Sequence, residues 1–222
     1  MESREEILAR LETAYRQAST AEESTGAGYA QVPDMKDQQE TLSFLFGRLQ
    51  TNRIGYHLVA DRGELLDSLA NNIYSRSFKK VAVWHEGLLE SLKVPQGLEE
   101  RLPDTELLSI DTLDHELLAG IDGGLTPVEA IIAQTGTLVV SGKTSMQLAT
   151  SLLPRTHLCV AHPAQIYPDL SAFIGSSAFD PDANYVLISG PSRTADIEKK
   201  IVLGVHGPWR VSVFLVREVG EV

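Results

Sequence analysis

Short apolar runs alternate with amphipathic stretches along most of this chain. Tyr56–Ala60, Lys80–Trp84 and Glu106–Ile110 read as strands, and Glu64–Ser75 and Glu86–Leu92, placed between them, read as helices. The second half continues with strands over Thr137–Ser141 and Thr156–Ala161, a helix around Pro163–Ile174, a strand over Tyr185–Ser189, a helix over Thr194–Leu203 and a last strand over Trp209–Arg217. Val81-Ala82-Val83 and Val186-Leu187-Ile188 are apolar without interruption, as strands are when both faces of a parallel sheet are covered. The alternation therefore predicts an α/β fold, a three-layer α/β/α domain around a mostly parallel sheet.

N-terminal helices precede this pattern. Ser3 and Glu6 have capping-box spacing, and Ile7, Leu8, Leu11, Ala14, Tyr15 and Ala18 recur at helical intervals, which predicts a helix over residues 3–19. Ser19 to Val32 is polar and aperiodic, a linker. After Pro33-Asp34 a second helix runs to about Gln50 with Leu42, Leu45, Phe46 and Leu49 inward. The division expected is a helix and linker over 1–33 and an α/β domain over 34–222.

Composition narrows the function. With 43% hydrophobic and 22% charged residues the chain has an ordinary globular mix. Its 19 Lys and Arg stand against 30 Asp and Glu, a net charge of −11, which disfavours nucleic acid and anionic membranes as partners. A single cysteine, Cys159, sits in an apolar stretch and cannot supply the thiolates of an iron–sulfur cluster, so no cofactor is expected in this chain. The six histidines show no metal-binding spacing, and no metal is expected. No apolar run approaches the roughly 18 residues of a membrane span, and a cytoplasmic location is the default expectation.

Candidate chemistry gathers late in the chain. In Tyr185–Glu198 an apolar strand stops at Gly190-Pro191, and a helix is expected within four residues. Two readings fit. In one, free N–H groups at the helix start, the Ser192 and Thr194 hydroxyls and the Arg193 guanidinium hold a small carboxylate or phosphate. In the other, Ser192 or Thr194 is an N-cap, Asp196 is a favourable first-turn acid and Arg193 is a solvated charge. His206, between Gly204 and Gly207, is a weak acid–base candidate or a structural hydrogen-bonder. Gln134, Thr135 and Gly136 interrupt two apolar runs, either to bring donors to a ligand or to form a hairpin turn. Gly142-Lys143-Thr144-Ser145 has only the tail of a phosphate-binding loop, so nucleotide binding by that route is rejected. Arg155 is an edge charge or a second anion contact.

Taken in order, Ala133-Gln134-Thr135-Gly136-Thr137, Ser151-Leu152-Leu153-Pro154 with His157, Gly190-Pro191-Ser192-Arg193-Thr194-Ala195-Asp196-Ile197-Glu198 and Gly204-Val205-His206-Gly207-Pro208 resemble the LUD domain of the lactate-utilisation protein C family, over roughly residues 40 to 217. The resemblance implies a fold similar to the sugar-phosphate isomerase and CoA-transferase class. It also implies a part in the bacterial conversion of L-lactate to pyruvate beside two iron–sulfur partner proteins. The family pattern usually has an acidic residue where Gln134 stands, and a glutamine cannot take a proton at neutral pH. The family pattern also often has Gly-small-Asp where Pro127-Val128-Glu129 stands; Glu129 keeps that charge one methylene longer and is the other weak catalytic candidate.

Three functions follow as expectations: an accessory or regulatory subunit of lactate oxidation with an anion site at Gly190–Asp196; a stand-alone enzyme on a phosphorylated sugar, CoA ester or folate; or an interaction module in which the turn is only structural.

Overall fold

A computed structural model describes residues 37–195, 201–203 and 207–218. The expected helix over 3–19, its linker, Asp196 and His206 lie outside the described residues. The chain enters through α1 (Gln38–Thr51), capped by Asp37, whose carboxylate accepts from the Gln39 and Glu40 N–H groups. It then alternates β1 (Gly55–Val59), α2 (Arg62–Ser75), β2 (Lys80–Val83), α3 (Gly87–Ser91), α4 (Val94–Arg101), β3 (Glu106–Ser109) and α5 (His115–Ala119). Next come β4 (Gly123–Pro127), β5 (Ala130–Ile132), β6 (Thr137–Gly142), α6 (Ser145–Thr150), β7 (Thr156–Ala161), β8 (Ile166–Tyr167) and α7 (Leu170–Ile174). The last strands are β9 (Asn184–Ile188), β10 (Arg193–Ala195), β11 (Ile201–Leu203) and β12 (Arg210–Val216).

The central sheet is six-stranded in the order β1-β12-β7-β4-β2-β3, with every neighbouring pair parallel. Flanking helices complete the three-layer α/β architecture that the alternation predicts. β7 and β12 are buried along nearly their whole length, with Leu158, Val160, Val213, Phe214 and Leu215 fully inside. Removing such side chains from water is the main force holding the layers together. Because all six strands run the same way, their amino ends form one edge of the sheet and their carboxyl ends the other.

A second sheet, β8-β5-β6-β9, is mixed, and the sequence pattern did not separate it from the first. Val186-Leu187-Ile188, expected between two helical layers, forms the edge strand β9. There Ile188 is 6% exposed and Leu187 52%, the one-sided burial of an antiparallel edge. Phe173 anchors this sheet, meeting Tyr167, Phe179 and Tyr185 edge-on at 5.3, 5.6 and 5.8 Å.

Two expected helices change form. Pro163–Ile174 splits into a 3-10 turn, β8 and α7, because Pro168 interrupts and Asp169 starts a new helix by accepting from the Ala172 N–H. The helix expected over Thr194–Leu203 is instead an antiparallel ribbon, β10 against β11, with Arg193 opposite Leu203 and Ala195 opposite Ile201. Thr194, Ile201 and Val202 are β-branched and favour extended pairing. The ribbon removes the helix N-terminus on which part of the anion-site expectation rested.

Candidate functional site

The amino edge of the central sheet gathers most of the predicted segment. β5 and β6 form a hairpin whose turn holds Gln134, Thr135 and Gly136, with Gly136 at φ +64° and its N–H bonded to the Ile132 carbonyl at 2.8 Å. This is the hairpin reading of that segment, and Gly136 supplies the left-handed backbone it needs. The Asn52 amide, just beyond α1, donates to the Thr135 and Gly136 carbonyls at 2.7 and 3.2 Å. Gly190 packs on the same residue, and a Cβ there would collide with the Asn52 carbonyl oxygen. A row of hydroxyls links the segments: Thr135 Oγ1 to Thr137 Oγ1 at 2.7 Å and Thr137 Oγ1 to Ser189 Oγ at 2.8 Å. Ser192 donates its N–H to the Pro208 carbonyl at 2.9 Å, which joins the Gly190–Ser192 turn to the residues just before β12.

Beside this junction lies a cavity of about 270 Å³ lined by Arg53, Gly55, Arg76, Pro191, Trp209, Arg210, Val211 and Ser212. Three arginines line it because three elements end there. Arg53 holds a left-handed turn, φ 58°, between α1 and β1; Arg210 opens β12; Arg76 caps the C-terminus of α2, where a cation is favoured by the helix dipole. Arg76 Nη1 donates to the Asn72 carbonyl at 2.9 Å, and among the described residues no carboxylate lines the cavity. Arg155 stacks its guanidinium at 5.3 Å over the ring of Trp209, which is itself a wall residue. On β1, His57 stacks on Phe214 with ring centroids 4.5 Å apart. Burial, and after it the charge of Arg76, holds its pKa below the usual histidine value.

The cavity therefore presents positive charge and planar donors on a chain of net charge −11, an arrangement suited to a small carboxylate or phosphate. Of the residues that the sequence offered as ligand contacts, Gly190, Ser192 and the Gln134–Gly136 turn stand at the neighbouring junction, and none of them is among the described residues that line the cavity. Sequence reasoning missed Arg53, Arg76 and Arg210, which lie far apart in the chain and are joined only by the topology. Arg193 and Thr194 begin the β10 ribbon.

Glu129 lies elsewhere, in a cleft of about 470 Å³ beyond the carboxyl ends of β2 and β4. Ser141 Oγ donates to Glu129 Oε2 at 2.9 Å, and Gln147 Nε2 donates to Glu86 Oε2 at 3.0 Å. The Thr144 side chain caps α6, and Gln147 Oε1 accepts the Lys143 and Thr144 N–H groups. The Gly142–Ser145 segment thus builds a capping box. Among the described residues no group of three or more His, Cys, Asp or Glu could hold a metal ion, and no helix is long and apolar enough to cross a membrane.

Comparison with known proteins places these features. A family model described as LUD domain matches residues 47–216. Lactate utilization protein C of Exiguobacterium is 32% identical over 110 residues, covering 47% of this chain and 48% of that protein. Lactate utilization protein C of Bacillus subtilis is 33% identical over 103 residues, covering 43% of this chain and 42% of that protein. The chain spans about half the length of these curated relatives. A crystal structure of a DUF162 family protein from Deinococcus radiodurans shares the fold, with a TM-score of 0.62 and 21% identity over 81% of this chain and 98% of the other.

Proposed function

Because the chain belongs to the LUD domain family, we propose that it serves L-lactate utilisation as an accessory or regulatory subunit beside iron–sulfur partner proteins, binding a small carboxylate or phosphate at the amino-edge cavity. The names of its relatives support the pathway. The observation that carries the binding role is the convergence of Arg53, Arg76 and Arg210 beside Pro191. The same lining favours binding over turnover. Arginine stays protonated, and among the described residues the Gly, Pro, Trp, Val and Ser around it offer no group that exchanges a proton near neutral pH. Cys159 is buried, and its thiol pKa is pushed up by that burial, so it is a packing residue and electrons would pass through partners.

Isothermal titration calorimetry with L-lactate, pyruvate and inorganic phosphate at fixed ionic strength tests this reading. At least one anion binds, and Arg76→Gln or Arg210→Gln each weakens it about tenfold, the value of one charge-assisted contact. Binding that survives the double substitution, or no binding of any of the three, contradicts it.

A further inference from the structure

The floor of the amino-edge cavity comes from β1 and β12, which pair in parallel with Gly55 opposite Ser212, and both residues line it. Ser212 is 7% exposed, and among the described residues no group hydrogen-bonds to its hydroxyl. The side-chain atoms sealed from solvent without a partner are, in the described residues, Asn72 Oδ1 and Trp84 Nε1. Ser212 Oγ is not one of them, so a molecule in the cavity can reach it. Glycine at position 55 leaves the space beside that hydroxyl free, since a Cβ there would stand 2.8 Å from Ser212 Oγ. A nearly buried hydroxyl ordinarily finds a partner; one that has none in the protein and opens on a cavity is completed by what the cavity holds.

Charge and shape then select among anions. Arg53, Arg76 and Arg210 line the cavity, and no carboxylate among the described residues offsets them there. A monocarboxylate brings these cations a single negative charge and two acceptor oxygens. A phosphate monoester brings roughly −1.5 to −2 at pH 7 and three terminal oxygens, enough for paired bonds from guanidiniums and one more from a serine hydroxyl. Pro191, Trp209 and Val211 complete an apolar part of the wall, which offers nothing to a bare inorganic ion and suits a carbon skeleton. At about 270 Å³ the cavity lies just below the roughly 300–1,000 Å³ usual for small-molecule sites, more room than lactate, pyruvate or phosphate fills.

We propose that the ligand of this cavity is a small organic phosphate monoester. The arginines and Ser212 Oγ take its phosphoryl oxygens, and its carbon chain lies against Pro191 and Trp209. This rests on the anion reading above and narrows it: the site answers to a phosphorylated metabolite, and lactate and pyruvate are not its preferred ligands.

Isothermal titration calorimetry on the full chain, at pH 7 and fixed ionic strength, compares two groups of compounds. The esters are sn-glycerol 3-phosphate, 3-phospho-D-glycerate and D-ribose 5-phosphate; the simple anions are L-lactate, pyruvate, D-glycerate and inorganic phosphate. At least one ester binds tighter than every simple anion, by about tenfold or more. Ser212→Ala weakens that ester about tenfold, the value of one hydrogen bond to a charged group. Where circular dichroism shows that Ser212→Ala does not fold, Gly55→Ala, whose Cβ crowds the same hydroxyl, carries the same expected loss. Failure of every compound to bind removes the anion reading and this proposal with it. A simple anion that binds as tightly as every ester leaves the anion reading in place and overturns the proposal, as does an ester affinity that both substitutions leave unchanged.

Discussion

His157 makes the stability of the fold depend on pH in a way that can be calculated. It stands on β7, fully buried, with Nε2 2.9 Å from Thr126 Oγ1 and the Cys159 sulfur 3.4 Å from the same nitrogen. Burial lowers its pKa from 6.5 to about 3, so the folded protein keeps a neutral imidazole where the unfolded chain is already protonated. Between those two values the unfolded state binds the extra proton, and stability falls as pH falls. The full gap is worth about 5 kcal/mol, of which about 2 kcal/mol is lost between pH 7 and pH 5. Urea unfolding of the wild type and of His157→Gln at both pH values separates this from every other titrating group, because only the histidine is missing from the variant. The wild type should lose about 2 kcal/mol more than the variant over that interval. Equal losses would mean that the imidazole is protonated inside the fold and would refute the reasoning. A histidine Cε1–H resonance that stays at its neutral position at pH 5 gives a second check that does not depend on how well the variant folds.

Two further outcomes follow from the amino edge. Gly190→Ala puts a Cβ on a residue at φ +130° and against the Asn52 carbonyl oxygen, so it should cost about 3 kcal/mol in urea unfolding; an unchanged midpoint would show that the turn is looser than described. An anion held at the cavity offsets part of the Arg76 charge, so the pKa of His57, followed by NMR, should rise on adding the anion that binds; no movement, or a fall, would separate Arg76 from the bound ligand.

The strands of the central sheet were legible because each is a short apolar run bounded by polar turns. Thr156–Ala161 is a strand over the predicted residues, and Lys80–Trp84 and Trp209–Arg217 differ from theirs only at the ends. The partition into two sheets was not legible. A buried strand of a parallel sheet and an edge strand such as Tyr185–Ile188 both read as apolar runs, and only long-range pairing tells them apart. The ribbon at Arg193–Leu203 was misread as a helix because Asp196 and Glu198 look like first-turn acids, while β-branched residues on both arms pull toward extended pairing. Beside the cavity, the glycines and hydroxyls of Gly190–Ser192 and Gln134–Gly136 carried a local signal, for the turns they form. Arg53, Arg76 and Arg210 carried none, since each is an unremarkable charge at the end of an element and becomes a cluster only when β1 pairs with β12. Glu129 and Gln134, both singled out from the family pattern, stand at opposite ends of the β5–β6 hairpin.

The central claim is that the arginine cavity holds a small anion. It is tested most directly by Trp209 fluorescence in the Trp84→Phe variant, titrated with L-lactate, pyruvate and phosphate at fixed ionic strength, because Trp209 is part of the cavity wall. A saturable change with at least one anion, displaced about tenfold to higher concentration by Arg76→Gln, is the predicted result. A flat signal with all three, or a curve that Arg76→Gln leaves in place, would contradict the account.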